Sequence, residues 1–430
     1  MKISVFGAGY VGLVTATCLS KMGHHVKCFD VNSHRINNLN NAKIDIYEPN
    51  LEKLISISSR KNLISFTDDE NQILHFSSIN FICVGTPENE DGSANLDYVN
   101  SVLNLLSNSS TKKLAIIKST VPPSTAYNLQ ELMIKKGINH IEIVSNPEFL
   151  REGSAINDFM KPDRVIVGHQ SGSALSKLRK IYGALSKKII PMDLTSAELT
   201  KYTSNAMLAN RISFMNEISN ISELLGADIE KVKLGVGSDK RIGNQFLNPG
   251  PGYGGSCFPK DVAALIHLSK SKNLEPRMLL ATDKVNEIQK NKVFNLLSNE
   301  LSTLTSKNIC IWGVTFKANT DDIRESATIN LVDSLKKSNA NIYIYDPKGV
   351  RNFQEIYPES PKLKYVKNKF DLPKKIDSLL IMTDWDEFKV KNIKQLKSII
   401  GKGLIIDSRN LFDSSKLTKQ GFNYLSFGRR

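Results

Sequence analysis

The sequence predicts an α/β protein in which two doubly wound domains are joined by a long central helix. A strand, a glycine-rich turn and a helix open the chain, and a similar order of strands and helices returns after residue 305. Between the two lies an unbroken helical pattern at 195–225. Alternating strands and helices are typical of a parallel sheet covered by helices on both faces. A chain of 430 residues is also too long for one hydrophobic core.

The N-terminal strand, Lys2 to Phe6, leads directly into the turn Gly7-Ala8-Gly9-Tyr10-Val11-Gly12 and a helix. A second strand, His25 to Phe29, ends on Asp30. Glycines at such a turn let a pyrophosphate approach the helix N-terminus, and the acid can accept hydrogen bonds from a ribose diol. This Rossmann-like pattern predicts a dinucleotide site. Asp30 would repel a 2′-phosphate and favours NAD, while the nearby Arg35 leaves NADP open.

Two further apolar strands, 79–84 and 114–118, end in polar residues. Because ligands of open parallel sheets bind at the carboxyl ends of the strands, Thr86 and Thr120 are expected to face the cofactor. Simple turn or cap chemistry is the alternative interpretation of both threonines.

Glu148 and Glu152 follow a strand at 141–144 and are four residues apart. On a helix they would share one face, and two carboxylates there suit proton transfer to water or sugar hydroxyls. From the pattern alone, a solvated acidic helix turn is the better interpretation.

The helical pattern at 195–225 repeats apolar residues at spacings of three and four, which predicts an amphipathic helix with Ser196 as its cap. Such a helix would form the spine of the molecule and a dimer surface. Lys201 and Asn205 share a face near its start, although Lys201 taken alone reads as a surface lysine. A second helix is expected at 278–301.

In the segment 241–261, four glycines at 250, 252, 254 and 255 come just before Cys257, and the pair Lys260-Asp261 follows it. Glycines in such number suit a loop whose backbone passes close to a ligand. A helix that begins near Pro259 would place Cys257 at its positive end, where a thiolate is stabilised. A buried structural cysteine beside a turn is an equal alternative on spacing alone.

The C-terminal part repeats the strand and helix pattern, with strands at 308–312, 341–345, 379–383 and 404–406 and a helix at 327–337. The glycine fingerprint is replaced here by Gly313-Val314-Thr315-Phe316-Lys317, so Lys317 would hold a phosphate by its charge. The last residues, 416–430, read as a tail.

Composition narrows the function classes. The net charge of +14 comes from basic residues spread along the chain, and no nucleic-acid motif appears, so an anionic small molecule is the expected partner. Five scattered cysteines without metal-ligand spacing predict reduced thiols in the cytoplasm, and no metal. Four of them, Cys18, Cys28, Cys83 and Cys310, are expected in the core. The sequence shows no signal peptide pattern and no apolar run long enough for a membrane span.

Taken together, these motifs resemble the UDP-glucose/GDP-mannose dehydrogenase family over nearly the whole chain. The resemblance is carried by the segments 7–13, 119–123, 146–153, 254–261, 316–317, 321–326 and 383–388, of which Gly-Gly-Ser-Cys-Phe-Pro-Lys-Asp at 254–261 is the most specific. It implies an NAD-binding domain at 1–194, a central helical domain with the cysteine loop at 195–304, and a nucleotide-sugar domain at 305–430.

The family resemblance also implies a homodimer and a two-step oxidation of the C6 alcohol of UDP-glucose to a carboxylate, which gives UDP-glucuronate. Cys257 would capture the intermediate aldehyde as a thiohemiacetal and carry it through a thioester. Another nucleotide sugar, a UDP-N-acetylhexosamine or GDP-mannose, is the alternative substrate, although 383–388 and 149–153 favour UDP-glucose. A silent NAD-binding regulator is a further alternative, against which the intact catalytic set argues.

Site residues are carried over by the same resemblance. The catalytic set is Cys257, Lys201, Asn205, Asp261, Glu148 and Thr120. The NAD contacts are Gly7, Gly9, Tyr10, Val11, Gly12, Asp30, Arg35, Thr86, Thr120, Glu152, Lys260 and Arg324. The substrate contacts are Glu148, Phe149, Leu150, Arg151, Lys201, Asn205, Phe246, Leu247, Gly250, Tyr253, Gly254, Lys317 and, from the neighbouring subunit, Arg241. Phe246 stands where the family often has tyrosine, so its contact would be through the backbone.

Overall fold

The computed structural model describes residues 1–372, 375–390, 392–401 and 403–429. The chain forms two compact units, one of residues 1–204 with 263–272 and the other of residues 205–262 with 273–430. Each unit contains its own parallel-rich sheet. The division into three domains at 194/195 and 304/305 stays a prediction.

The first unit is built on an eight-stranded sheet. Its strands are β1 (Lys2–Phe6), β2 (His25–Phe29), β3 (Ile64–Thr67), β4 (Ile79–Ile82), β5 (Lys113–Ile117), β6 (Ile141–Ser145), β7 (Val165–Gly168) and β8 (Ile189–Met192). They are arranged in the order β3-β2-β1-β4-β5-β6-β7-β8, and only the β6–β7 pair is antiparallel. The first six have the strand order of a dinucleotide-binding domain.

Helices cover both faces of this sheet. They are α1 (Tyr10–Lys21), α2 (Ser33–Asn40), α3 (Leu51–Arg60), α4 (Glu70–Phe76), α5 (Asp97–Ser107), α6 (Thr125–Lys135), α7 (Ala155–Met160), α8 (Gly172–Tyr182) and the start of α9 (Leu194–Leu225). Side chains alternate along β1, so Ile3 and Val5 enter one core cluster and Phe6 enters the other. Strand β1 is therefore buried on both faces, as a central parallel strand requires.

The second unit repeats the same strand order. Its strands are β9 (Asn308–Trp312), β10 (Asn341–Tyr345), β11 (Leu363–Tyr365), β12 (Ser378–Ile381), β13 (Leu404–Asp407) and β14 (Asn423–Ser426). The order is β11-β10-β9-β12-β13-β14, and every pair is parallel. The predicted fold class, two doubly wound domains, is confirmed.

The helices of the second unit follow from the same pattern. Besides the remainder of α9 they are α10 (Ile229–Ser238), α11 (Phe258–Ser271, in part), α12 (Arg277–Lys290), α13 (Lys292–Leu301), α14 (Ala327–Lys337), α15 (Val350–Ile356), α16 (Ile393–Ile400) and α17 (Ser414–Lys419). Helix α9, with 32 residues, confirms the predicted long helix. Helix α10 precedes the cysteine loop and was not predicted. No helix in the described ranges has the length and apolarity that a bilayer crossing requires.

Three local predictions were wrong. The single helix at 278–301 is two helices, because Asn291 ends α12 and begins α13. Helix α9 is capped by Asp193, whose Oδ1 accepts the Ser196 N–H at 2.8 Å, and not by the Ser196 side chain. The predicted tail contains α17 and β14, because Phe422 and Phe427 are buried and β14 completes the sheet beside β13.

Candidate active site

The glycine turn after β1 forms a cradle that has room only for backbone. Gly7 has a φ of +94°, and a Cβ on Gly12 would lie 1.8 Å from the Gly7 carbonyl oxygen. A Cβ on Gly9 would meet no atom within 4 Å, so the open side of the turn is free to receive a ligand. A backbone cradle of this kind at the start of α1 fits the pyrophosphate of a dinucleotide.

Asp30 is fixed at the carboxyl end of β2. Its carboxylate accepts the Ala8 N–H at 2.7 Å and the Asn32 N–H at 2.9 Å. Arg35 donates from Nε to Asp45 at 2.9 Å and lies 3.8 Å from Asp30. The guanidinium is thus engaged by two carboxylates, which leaves it poorly placed to attract a 2′-phosphate.

Glu48 is a buried carboxylate that the sequence reasoning missed. It accepts hydrogen bonds from the Tyr10 hydroxyl and, at 2.7 Å, from the Gly153 N–H. Burial, and then the contact with Glu48, raises the pKa of Tyr10 far above its ordinary value. Glu48 therefore ties the first turn of α1 to the segment that carries Glu152. A glutamate between Tyr47 and Pro49 was the available signal.

The segment 146–153 is not helical, so the prediction that Glu148 and Glu152 share a helix face was wrong. Pro147 disfavours the helical conformation for Asn146, whose side chain is bonded to Ile166 O at 2.8 Å instead. The Glu148 carboxylate accepts the Leu150 N–H, which closes a local turn. Helix α7 begins only at Ala155.

Glu148 and Lys201 form a buried ion pair. Lys201 Nζ donates to Glu148 Oε1 at 2.9 Å, and the two side chains are 4% and 5% exposed. Lys201 Nζ also lies 5.4 Å from the centre of the Phe149 ring, and Arg164 Cζ lies 3.7 Å from the same ring centre. Burial alone would raise the pKa of Glu148, but the charge and hydrogen bond of Lys201 outweigh it and lower that pKa. The carboxylate is therefore ionised at neutral pH.

Lys118 is a second buried cation near this pair that was not predicted. It follows β5 directly, and its Nζ lies 5.7 Å from the Phe159 ring. Its charge helps to lower the pKa of Glu148, while burial lowers its own pKa. A lysine at the end of an apolar strand, just before Ser119-Thr120, was the signal for it. The Thr120 carbonyl accepts the Thr86 hydroxyl at 2.8 Å, so the ends of β4 and β5 are joined.

Cys257 immediately precedes α11, and its carbonyl accepts the Asp261 N–H at 3.0 Å. The thiol therefore stands at the positive end of the helix, as the sequence predicted. It is partly exposed, and its sulfur is 3.5 Å from the Ser256 hydroxyl. The other four cysteines are buried in the cores, which confirms that prediction.

Asp261, one turn into α11, is almost completely buried. Its Oδ2 accepts the Asn205 Nδ2–H at 2.6 Å, and its Oδ1 accepts a hydrogen bond from Lys260. Asn205 is on α9, one turn after Lys201. Lys201 and Asn205, which the sequence placed on one helix face, thus each donate to a buried carboxylate. Lys201 donates to Glu148 in the first unit, and Asn205 donates to Asp261 in the second.

The cysteine loop is anchored by amide side chains. Asn216 Oδ1 accepts the Gly250 N–H at 2.8 Å, and Gln289 Nε2 donates to the Gly250 carbonyl at 2.9 Å. The Asn286 side chain brackets the backbone of Tyr253 with bonds of 2.7 and 3.1 Å. A Cβ on Gly255 would lie 2.7 Å from the Phe316 ring. At that point the glycine backbone lies against the segment that follows β9, within the same unit.

Three cations surround the segment that receives the loop. Lys317 Nζ lies 5.3 Å from the Phe316 ring, and Arg324 pairs with Asp322 at 2.8 Å. Arg409, which was not predicted, donates to Phe316 O at 2.9 Å and would lie 3.0 Å from a Cβ on Gly250. Its position just after β13, at the carboxyl edge of the sheet, was the available signal.

The second sheet has lost the cofactor cradle. A Cβ on Gly313 would lie 1.8 Å from the Thr383 hydroxyl, so that turn is filled by a side chain. Asp346, in the position that corresponds to Asp30, accepts the N–H groups of Val314 at 2.8 Å and Gly349 at 2.7 Å and is buried. Of the two corresponding turns, the one after β1 therefore has the room for a dinucleotide pyrophosphate.

The remaining predicted residues lie as follows. Arg151 pairs with Asp158 at 2.6 Å, and Arg241 pairs with Asp239 while its side chain is 89% exposed. Phe246 has a φ of +61° and packs 6.2 Å from the Phe258 ring. The first unit holds Gly7, Gly9, Tyr10, Val11, Gly12, Asp30, Arg35, Thr86, Thr120, Glu148, Phe149, Leu150, Arg151, Glu152 and Lys201. The second holds Asn205, Arg241, Phe246, Leu247, Gly250, Tyr253, Gly254, Cys257, Lys260, Asp261, Lys317 and Arg324. In the described part of the chain no cluster of three or more His, Cys, Asp or Glu residues is suited to a metal ion.

Three family models match the chain. They describe the NAD binding domain (residues 1–186), the central domain (195–288) and the UDP binding domain (310–414) of the UDP-glucose/GDP-mannose dehydrogenase family. The UDP-glucose 6-dehydrogenase of Rickettsia bellii is 37% identical over 436 residues, which cover 100% of this chain and 99% of the relative. The UDP-glucose 6-dehydrogenase TuaD of Bacillus subtilis is 37% identical over 431 residues, 100% of this chain and 93% of TuaD. A solved UDP-glucose dehydrogenase from Pyrobaculum islandicum superimposes with a TM-score of 0.90 at 33% identity, covering 99% of this chain and 96% of that one.

Proposed function

The chain belongs to the UDP-glucose/GDP-mannose dehydrogenase family and is an NAD-dependent oxidoreductase, and we propose that it oxidises the C6 alcohol of UDP-glucose to a carboxylate through covalent catalysis by Cys257. Relatives named UDP-glucose 6-dehydrogenase match the full length of the chain, which supports this choice of sugar. The observation that carries the proposal is the thiol at the N-terminus of α11, one turn before the buried Asn205–Asp261 pair.

Cofactor binding is assigned to the glycine cradle, with Asp30 on the ribose. NAD supplies the acceptor for the two electrons that leave C6 in each oxidation. The chain itself must position C6, hold developing negative charge on the reacting oxygen, and move protons. Lys201 and Asn205 are assigned to the oxygen, since donors held in place before the reaction stabilise charge that develops during it.

Cys257 divides the second oxidation into easier steps. The thiolate adds to the C6 carbonyl carbon of the aldehyde, a C–S bond forms, and the oxygen takes a proton to give a thiohemiacetal. Loss of the C6 hydrogen with its electron pair, and of the hydroxyl proton, leaves a thioester. Water then adds to the thioester carbonyl and the C–S bond breaks. The acid leaves as its carboxylate with loss of one proton, and the Cys257 thiol is regenerated.

Proton transfer is assigned to the two buried carboxylates. Glu148, whose pKa is lowered by Lys201 against the effect of burial, is ionised and able to accept a proton from water. Asp261 lies one turn after the nucleophile and receives hydrogen bonds from Asn205 and Lys260. Thr120 is assigned to the same water.

The test is the yield of NADH per sugar. The wild-type protein is expected to form two NADH per UDP-glucose, whereas an alcohol dehydrogenase that stops at the aldehyde forms one. Cys257→Ser should bind both ligands yet lose turnover by orders of magnitude, because serine is far less ionised than cysteine. Cys310→Ala, which removes a buried thiol from the second unit, is the matched control and should keep the yield of two.

One result would remove Cys257 from the mechanism, namely near-normal kcat in Cys257→Ser. The same assay should include a UDP-N-acetylhexosamine and GDP-mannose as substrates. Higher kcat/KM with either of these than with UDP-glucose would replace the proposed sugar and leave the covalent chemistry in place.

The proposed assembly is a homodimer built on α9. Six large apolar side chains of this helix are exposed, and four of them, Met207, Phe214, Ile221 and Leu225, lie on one face because their spacings are seven, seven and four. A face of this kind is rarely left in water. Arg241 is almost fully exposed and is assigned to the partner subunit's substrate site.

Subunit complementation tests this assembly. Cys257→Ala and Arg241→Ala chains should each be inactive alone, and mixed dimers should recover activity, because one of the two sites then has both residues intact. Isolated heterodimers without activity would place Arg241 in its own subunit's site. Phe214→Asp should in addition yield a monomer by light scattering.

A further inference from the structure

Glu198 is a buried carboxylate that the proposed mechanism does not use. It is on α9, one turn before Lys201, and is 2% exposed. Its Oε1 accepts the Ala126 N–H at 2.8 Å. Its Oε2 is buried and has no hydrogen-bond partner among the residues that the structure describes. Burial of a carboxylate with one unbonded oxygen lowers the stability of the folded protein, so its presence here suggests a functional role.

The carboxylate lies at the N-terminus of α6. Ser124, which caps this helix with a φ of +74°, is itself held by a 3.2 Å contact between its hydroxyl and that of Thr195 on α9. Thr195 and Glu198, on two successive turns of α9, are thus both bonded to the first turn of α6. Negative charge is stabilised at a helix N-terminus, which offsets part of the burial cost.

These two bonds restrain one end of the loop between β5 and α6, which carries Thr120. The other end of this loop is fixed, because the Ser119 hydroxyl donates to Val84 O at 2.7 Å and the Thr120 carbonyl accepts the Thr86 hydroxyl at 2.8 Å. The position of the loop is therefore set at one end by the segment that follows β4 and at the other by α9. The same helix carries Lys201, one turn further along.

We propose that Glu198 is a positioning residue for the oxidation, which holds the Thr120 loop in register with Lys201 through the first turn of α6. The inference rests on the proposed function for the roles of Thr120 and Lys201. Burial raises the pKa of Glu198 to about 7, although the amides of Ala126, Ser124 and Thr125 oppose the rise.

Two substitutions separate reach from charge. Glu198→Asp keeps the charge but is one methylene too short to accept the Ala126 N–H without movement of α6. Glu198→Gln keeps the reach and the acceptor oxygen and removes the charge. Glu131→Asp, which shortens an acid on α6 that the site does not involve, is the matched control.

A displaced loop should slow the chemistry more than it weakens binding. In Glu198→Asp we expect kcat to fall by about ten- to a hundredfold, the cost of misplacing a group near the reaction by about 1 Å. The KM for UDP-glucose should stay within about twofold, and Glu198→Gln should keep kcat within about threefold. Hydrogen exchange at the amides of 124–126 should accelerate in Glu198→Asp and not in Glu198→Gln or Glu131→Asp.

Wild-type kcat in a folded Glu198→Asp protein, or a rise in the KM for UDP-glucose equal to the loss in kcat, would overturn the proposal. If Glu198→Asp does not fold, Thr195→Val takes its place, since it removes the second tie without burying a charge. Unchanged kcat and exchange in Thr195→Val would then overturn it. A wild-type protein that does not oxidise UDP-glucose refutes the proposed function instead, and the exchange measurement still reports whether Glu198 holds the loop.

Discussion

Removal of the Lys201 charge should destabilise the protein and reverse the pH dependence that Glu148 gives to its stability. In Lys201→Met the buried Glu148 carboxylate loses the cation that lies 2.9 Å away and keeps the Leu150 N–H and the more distant charges of Lys118 and Arg164. We expect loss of activity as well, because Lys201 is assigned to the reacting oxygen.

The magnitude follows from the geometry. Two unit charges 2.9 Å apart attract by on the order of 6 kcal/mol at an effective dielectric constant of about 20. The cost of removing both charged groups from water largely offsets that attraction, so the pair adds little net stability. Removal of one partner leaves the other charge buried and should cost about 3–5 kcal/mol.

The sign of the pH dependence is a second prediction of the same experiment. In the wild type the pKa of Glu148 is below its ordinary value of 4.5, so its contribution is present above that pH and is lost as the pH falls through the folded pKa. In Lys201→Met burial dominates and raises the pKa. The contribution of Glu148 should then improve as the pH falls, because the protonated acid is the better buried species.

A double-mutant cycle of Lys201→Met and Glu148→Gln, measured by urea unfolding at neutral and acidic pH, provides the test. The double variant should be nearer to wild type than Lys201→Met is, with a coupling energy of about 3 kcal/mol or more. Coupling below about 1 kcal/mol, the usual value for an exposed pair, would refute the reasoning. So would an unchanged sign of the pH dependence in Lys201→Met.

Three further predictions concern other residues. Asp30→Ala should narrow the preference for NAD over NADP in kcat/KM, and equal efficiency with both cofactors in the wild type would count against the role of Asp30. Lys317→Ala should raise the KM for UDP-glucose more than the KM for NAD, because the substrate loses a charge-assisted contact of roughly 1.5–3 kcal/mol. A rise in the KM for NAD alone would assign Lys317 to the cofactor site. The pKa of Glu198 is raised from 4.5 to about 7 by burial and, to a smaller extent, by the neighbouring acid Asp193. As the pH rises through that window, the wild type should lose up to about 3 kcal/mol of stability relative to Glu198→Gln. A difference in unfolding free energy between the two proteins that stays constant at every pH would contradict this prediction.

The sequence by itself determined the two doubly wound domains, the long helix, the glycine cradle with Asp30, and the place of Cys257 at a helix start. Each of these is written in a short stretch of chain. The period of the apolar residues fixes strand or helix, and glycine, proline and the residues around them fix where the element begins. The same local signals failed where two rules competed, as at 146–153, where Pro147 and the turn closed by Glu148 overrode an apparent helix pattern.

Only the tertiary structure decided which partner each buried carboxylate meets. Lys201 and Glu148 are 53 residues apart in the chain, Asn205 and Asp261 are 56 apart, and Glu198 and Ala126 are 72 apart. No local pattern carries such a pairing, because a carboxylate looks the same in sequence whether it faces water or a helix N-terminus. Its burial, and therefore its pKa and its role, is set by the strands and helices that pack around it.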